Sequence, residues 1–522
     1  MDFRSAGSSR AAMATRRQAI AELAAGLGAG LVAGLGAIGA LTILPGGGAA
    51  PEPYQLGEWT GDSFAPMHAI RDGLGRGPLP AAERRVDVAI IGGGLAGLAV
   101  ASLLEDRDLV VLERESEPGG VAKSKRWRNV DYALGSAYIV DINEPFDGFY
   151  ERLGLAPQPV SPPVDQLLTG SAGEGDPRDG KWRDAYAGLK ALLRRLRESP
   201  DFPAIPISEA SAPALALDRL SLLDFLRGEH IGGELFGLLD AYCLSALGAP
   251  AADISAYAGV NFLSDINARI YAFPGGNAAI ARAMAARISR AGEGRIVTGA
   301  AVYAIEPAED GYARVGWFDA HDPGTPRCLE ARRAVVAAPY FFAGRILRGA
   351  DPAVTATMTS LRQGSYLVAN CCFEGPPPDL RYDSWALGAQ SFSDVVSATA
   401  VLPAAERPSD HNVLTVYAPF RDPRAGRARL LAGDRAALAA PIVEELRRFL
   451  PEAFDGARLV EARLTRWGHH HLIAAPGIVA MMRALPKRFG NVLLAHSDGQ
   501  GMPAVESAIV EALNAVATIK RG

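Results

Sequence analysis

The sequence predicts an α/β protein of two interleaved domains, one built on a parallel sheet and the other mixed α+β. Three observations predict it. Residues 86–120, VDVAIIGGGLAGLAVASLLEDRDLVVLERESEPGG, read as strand, glycine turn, helix, second strand and terminal acid. Residues 491–516, NVLLAHSDGQGMPAVESAIVEALNAV, read as strand, polar turn with an acid, and a helix with apolar residues at helical spacing. The 522-residue chain exceeds one typical domain, and its 49% hydrophobic composition supplies more than one core.

Val86, Val88, Ala89, Ile90 and Ile91 make a nearly unbroken apolar run, as expected of a parallel strand buried on both faces. Gly92, Gly94 and Gly97 then fit G-x-G-x-x-G. The first glycine allows a tight turn, the second lets backbone approach a pyrophosphate, and the third lets helix and sheet pack closely. Leu95 and Ala96 open the helix, whose N-terminal amides and dipole face phosphates. Residues 109–112 form the next strand, ending at Glu113 and Arg114. Glu113 lies 21 residues after Gly92, close to the spacing at which an acid accepts hydrogen bonds from a ribose. The unit is Rossmann-like and predicts a bound dinucleotide.

Gly119 and Gly120, after a short polar connection, resemble the second glycine pair of the glutathione-reductase-like flavoproteins, which implies FAD rather than NAD. Residues 491–516 resemble the C-terminal FAD motif of the amine oxidase and phytoene desaturase superfamily. That resemblance implies that Asp498 holds the ribityl and phosphate region, and that the helix after Met502, opening at Val505, points its positive end at the isoalloxazine. Residues 298–305 and 334–339 look like the family's middle strands, with Val302 at the adenine and Ala338 beside the cofactor. The implied organisation is an N-terminal extension at 51–85 and FAD-binding parts at 86–150, 271–345 and 486–522. A substrate or cap domain fills 151–270 and 346–485.

Thr15-Arg16-Arg17-Gln18-Ala19-Ile20 precedes residues 23–44, rich in Ala, Gly and Leu and without charge, and small residues occur at 48–50. This looks like a twin-arginine export signal over residues 1–50, which implies the twin-arginine export machinery as a partner and a periplasmic location. Such signals carry proteins already folded around a cofactor. An uncleaved membrane anchor is the alternative, because the apolar stretch is long enough to span a bilayer. Cleavage after Ala50 would remove four basic and two acidic side chains and take the formal charge from −5 to −7, which does not suggest nucleic acid.

Cys243, Cys328, Cys371 and Cys372 have neither metal-ligand spacing nor the pattern of a disulfide framework, and read as core thiols. Residues 162–180, rich in Pro, Gly and acids, read as a surface loop. Residues 181–197 and 220–247 carry helical apolar periodicity, consistent with a cap, and residues 366–373 and 412–417 read as strands.

Short matches to a narrower group recur along the chain. Gly57-Glu58-Trp59-Thr60-Gly61, Gly119-Gly120-Val121-Ala122-Lys123, Phe273-Pro274-Gly275-Gly276-Asn277, Arg466-Trp467-Gly468-His469 and Ser497-Asp498 are similar to segments of bacterial spermidine dehydrogenase and its exported relatives. Val121 departs from that pattern, where a histidine or arginine stands, so its cofactor contact passes to Lys123 or Ser124. Gly364-Ser365-Tyr366-Leu367-Val368 resembles the GSxxK strand of monoamine and polyamine oxidases, whose lysine holds a water near flavin N5. Val368 cannot anchor that water, which implies an electron acceptor other than oxygen.

The cofactor carries the hard redox step, so the protein mainly positions the substrate and supplies a base where a proton must leave. His469 is the candidate to take a proton from, or orient, an ammonium substrate. Trp467 would give an aromatic wall for a cation, though packing is the commoner use of a tryptophan. His470 and His471 read first as hydrogen-bonded loop histidines. Tyr382, Asp383, Trp385 and Asp394 form an aromatic and acidic set that would hold a polyamine but read first as a surface turn. The expectation is an exported FAD-dependent dehydrogenase of an amine or polyamine C–N bond. Its alternatives are a desaturase or oxidase of an apolar or tetrapyrrole substrate, for which a cavity without a carboxylate is expected, and a non-catalytic flavin-binding partner subunit, for which a blocked flavin face is expected.

Overall fold

The computed structural model describes residues 54–140, 142, 145–160, 166–170, 180–308 and 310–521. The expected export signal at 1–50 and most of the expected loop at 162–180 lie outside the described residues. Arg85–Ile91 forms the strand read from the apolar run, and Val88, Ala89, Ile90 and Ile91 are each at most 2% exposed. Both of its faces are covered. Val88 and Ile90 meet Leu98, Ile280, Met284 and Ile509 from helices Leu95–Leu103, Ala278–Arg290 and Val505–Lys520, while Ala89 and Ile91 join a second cluster that runs into the cap.

This strand pairs in parallel with Leu109–Leu112, Val88 against Leu109, and with Asp322–Val336, Ala89 against Ala334. The end of Asp322–Val336 pairs in parallel with Val492–Leu494, Ala334 against Val492. Stretches far apart in sequence therefore build one parallel core, as the interleaving requires. The expected strand at 334–339 is only the end of the 15-residue Asp322–Val336. Its first six residues, Asp-Pro-Gly-Thr-Pro-Arg, are exposed, and Asp322 and Arg327 at their two ends pair with Asp319 and Trp317 of the hairpin strand Ala313–Asp319.

The second sheet runs in the order Gln55–Leu56, Arg458–Trp467, Tyr366–Glu374, His411–Pro419, Asp394–Ser397, Asp383–Leu387 and Leu167–Thr169. Side-chain alternation divides its faces. Leu367, Ala369 and Cys371 pack with Leu430, Leu438, Ile442 and Leu446 of helices Pro423–Ala432 and Arg435–Phe449. Tyr366, Val368 and Cys372 face Val130, Tyr132 and Leu134 instead. The N-terminal extension belongs partly to this sheet, since Gln55–Leu56 and Thr60–Gly61 both pair in parallel with Arg458–Trp467.

The cap contains Gly180–Arg197, Leu222–Gly228, Phe236–Leu247 and Ala256–Leu263. The helical stretch expected at 220–247 is divided near His230, whose φ is 60°, and Gly232. All four cysteines are free and at most 1% exposed, as expected of core thiols. Among the described residues no helix is long and apolar enough to cross a membrane.

Candidate active site

A cavity of about 910 Å³ lies between the two sheets and the cap. At one end its floor is bare backbone. Gly92 has φ +102°, and a Cβ there would lie 2.7 Å from the Ala337 oxygen, so only glycine makes this turn. Gly94 caps Leu95–Leu103 and forms a bridge with Gly119. A Cβ on Gly120 would stand 3.1 Å from Gly94 Cα, so the two glycine pairs read from separate motifs form a single surface. The amides of Leu95 and Ala96 open the helix on that surface, where intrahelical partners are missing. Glu113, 7% exposed, closes the floor, its Oε2 accepting from Gly93 N at 2.6 Å and its Oε1 from Glu115 N at 2.8 Å. This floor without side chains, with free helix amides and a buried acid, fits FAD.

Of the expected cofactor residues, Gly92, Gly94, Leu95, Ala96, Glu113, Arg114, Gly119, Gly120, Val121, Val302, Ala338 and Val505 line the cavity. Four expected positions do not line it. Gly97 serves the packing role read for the third glycine, because a Cβ on it would be 2.0 Å from the Gly92 oxygen. Lys123 lies beside Gly119, and Met502 is fully buried. Asp498 is 1% exposed and takes a structural role, accepting from Tyr340 N at 2.8 Å and meeting His496 Nδ1 at 3.1 Å. A buried carboxylate needs donors, and the start of helix Tyr340–Ile346 supplies one. Its neighbours His496 and Ser497 reach the cavity in its place.

The extension, whose place in the site was not evident in the sequence, contributes Asp62, Ser63 and Phe64 to the wall. Ser63 donates to Glu115 through its amide at 3.1 Å and its hydroxyl at 2.7 Å, and Arg114 pairs with Asp62 at 3.3 Å and Glu115 at 2.7 Å.

The stretch from Leu134 to Tyr138 leads from the cofactor end to the other. Trp467 Nε1 donates to the Leu134 oxygen at 2.7 Å, Tyr417 OH to the Gly135 oxygen at 2.6 Å, and Tyr382 OH to the Ala137 oxygen at 2.9 Å. Asn277, fully buried, donates to Ser136 Oγ and the Tyr138 oxygen, both at 2.8 Å. Trp467 is thus both packed, at 3% exposure, and part of the cavity wall.

Beyond this stretch the wall carries Tyr138, Ser245, Tyr366, Trp385, Asp394 and Tyr417. Ser245 Oγ lies 2.6 Å from Tyr366 OH and donates to Asp394 Oδ1 at 2.8 Å, and Ser393 Oγ donates to the same oxygen. Tyr242 stacks on Trp385 at 5.0 Å. The surface turn expected here is absent: Tyr382, Asp383, Trp385 and Asp394 are 4%, 2%, 1% and 4% exposed. Asp383–Leu387 and Asp394–Ser397 are inner strands, and their charged and hydroxyl residues hid the strand pattern. Burial pushes the Asp394 carboxyl up to about 7 against the lowering effect of its two serine bonds. Burial and the charge of Asp394 push Asp383 well above the carboxylate range.

All three consecutive histidines line the cavity. His469 stacks on Phe341 with centroids 4.7 Å apart, and burial with nearby Arg427 and Arg114 brings its pKa down to about 4. The expected loop role for His470 and His471 is incomplete. Their Nδ1 atoms bond each other, and both Nε2 atoms are buried without a partner. Burial lowers both, His471 to about 4. Val368 is fully buried opposite Thr465 and Tyr417 and does not reach the cavity. Among the described residues no metal-binding group of His, Cys, Asp and Glu occurs.

Comparison with known proteins agrees with this geometry. The Oxidoreductase PigB of Serratia sp. (strain ATCC 39006) is 23% identical over a 518-residue alignment that covers 83% of this chain and 75% of that protein. A putrescine oxidase with a redesigned cofactor site superposes with a TM-score of 0.66 at 18% identity, and cyclohexylamine oxidase from Brevibacterium oxydans IH-35A with 0.63 at 20%. Each superposition covers 84% of this chain and 99% of the other, and shows the shared fold. The profile of the flavin-containing amine oxidoreductases matches residues 95–520, from the helix that follows the glycine turn to the last helix, and so this chain belongs to that family as an FAD-dependent oxidoreductase.

Proposed function

We propose that the protein is an exported dehydrogenase that oxidises the C–N bond of an amine, polyamines included, and passes the electrons to an acceptor other than oxygen. One observation carries this reading. Asp394 stands in the cavity wall among Tyr138, Tyr366, Trp385 and Tyr417, an aromatic surface bearing a carboxylate that suits an ammonium group. A desaturase of an apolar or tetrapyrrole substrate would leave that carboxylate buried without a partner charge, at a cost. The structural neighbours putrescine oxidase and cyclohexylamine oxidase support the same substrate class. Val368, where the related oxidases carry lysine, supports the acceptor assignment, and the arginine pair at Arg16 and Arg17 supports export.

Bound FAD supplies hydride acceptance. The chain's own residues hold and orient the amine, and the cap keeps water away from the aromatic wall. The test is anaerobic bleaching of the flavin spectrum by spermidine, spermine, putrescine and simple amines, beside a porphyrinogen and a polyene. Fast bleaching by an amine, with reoxidation faster by a dye than by oxygen, is the expected result. Bleaching only by the apolar compounds would transfer the protein to the desaturase class, and no bleaching by any would leave the partner-subunit reading.

A further inference from the structure

An amine enters as ammonium at neutral pH, because alkylamines resemble lysine with a pKa near ~10.4. It can release a hydride only as the free base, whose nitrogen lone pair assists C–H cleavage. The ammonium must therefore lose one proton, and a group on the cavity wall can take it. The three histidines are poor receivers, since His469 and His471 are held down to about 4 and His470 and His471 bond each other through Nδ1.

Asp394 meets the requirement by position. Both serine hydroxyls converge on Oδ1, which leaves Oδ2 for a ligand. The groups facing it from the surrounding elements are Asp383, Tyr138, Tyr366 and Tyr417, with no hydrogen bond or ion pair to lysine or arginine among the described residues. Asp383 lies diagonally across the strand pair, since Asp383 opposes Val396 and Trp385 opposes Asp394, so both carboxyls share one face. Both Asp383 oxygens are buried without a partner. Burial and the neighbouring Asp394 charge favour the protonated form of Asp383, so the two carboxyls together favour a single negative charge, which matches one ammonium.

We propose that Asp394 is the base that accepts the ammonium proton of the substrate, an inference that rests on the amine reading above. An N–H bond of R–NH3+ breaks, an O–H bond forms at Asp394 Oδ2, and the products are R–NH2 and a neutral carboxylic acid. No electrons are exchanged in this step, and the proton leaves to solvent when the product departs. Asp394 is poised near neutral pH, where a general base is most effective.

The test is the pH dependence of anaerobic flavin reduction in the holoenzyme by the amine that bleaches it. Wild type is expected to lose rate tenfold per pH unit on the acid side of a limb near pH 7. Asp394→Asn removes that limb and lowers the rate at pH 8 by about 100-fold. Ser245→Ala moves the limb to higher pH, because the lost hydroxyl bond favoured the carboxylate. Flavin absorbance per protein reports whether each variant is folded and loaded, and the Ser245→Ala shift decides the matter if Asp394→Asn loses FAD. An Asp394→Asn enzyme that keeps both limb and rate, or a Ser245→Ala limb that stays or falls, overturns the inference while leaving the amine reading intact. A wild-type flavin that no amine bleaches removes the amine reading itself.

Discussion

Gly94 and Gly97 belong to one motif but answer to different constraints. A Cβ on Gly97 would lie 2.0 Å from the Gly92 oxygen, which is backbone and cannot yield without moving the turn. On Gly94 the nearest atom would be Gly120 Cα at 3.8 Å, ordinary contact, and its φ of −74° suits any residue. The protein leaves that space for something other than itself. Gly97→Ala is therefore expected to destabilise the apoprotein by about 1–3 kcal/mol through overpacking. Gly94→Ala is expected to leave the apoprotein's melting temperature near that of wild type while abolishing FAD retention. Melting curves of the apoproteins and the ratio of flavin to protein absorbance separate the two. A Gly94→Ala protein that purifies yellow would remove Gly94 from the cofactor site.

Among the elements, the extension at residues 54–72 acts as a strap joining the second sheet to the end of strand Leu109–Leu112. Glu115 is its anchor. Burial pushes its carboxyl up, but Arg114 and the two bonds from Ser63 outweigh this and hold it below the usual range. A depressed pKa contributes stability that is full above the unfolded value, near ~4.3, and is lost as pH falls through the folded one. Asp62 shifts upward because its burial dominates, so acid release of the strap belongs to Glu115. Glu115→Gln is expected to loosen the strap by about 1–2 kcal/mol at pH 7. Faster amide exchange over residues 54–72 would show it, and unchanged exchange would count against the anchor. The strap was not legible in the sequence because its strands are two residues long and pair with partners such as Thr465, 405 positions from Thr60. Asp383 and Asp394 were hidden for a related reason, since only cross-strand pairing reveals that they share a face. The glycine turn and Glu113 were legible because the crowded backbone of the turn and the acid that accepts from its Gly93 amide lie within one short strand–helix–strand unit.

At the scale of the molecule, neither sheet can form from a continuous piece of chain. The first needs Arg85–Ile91, Leu109–Leu112, Asp322–Val336 and Val492–Leu494, and the second takes strands from Gln55–Leu56 through Arg458–Trp467. The described residues accordingly pack as one unit, with the cavity walled by both sheets. Unfolding one half would strip partners from the other and open the cofactor floor, so the halves are expected to unfold together despite the chain's length. FAD binds only the folded state, and a free concentration 100 times its Kd adds about 2.7 kcal/mol, worth a few degrees in Tm for a protein of this size. Near-ultraviolet circular dichroism and flavin fluorescence followed in one thermal ramp should give a single coincident transition, which rises with added FAD. Flavin release well before loss of the near-ultraviolet signal would show that the cavity opens independently of the sheets, and that the strap and cap, rather than the interleaved core, set the retention of the cofactor.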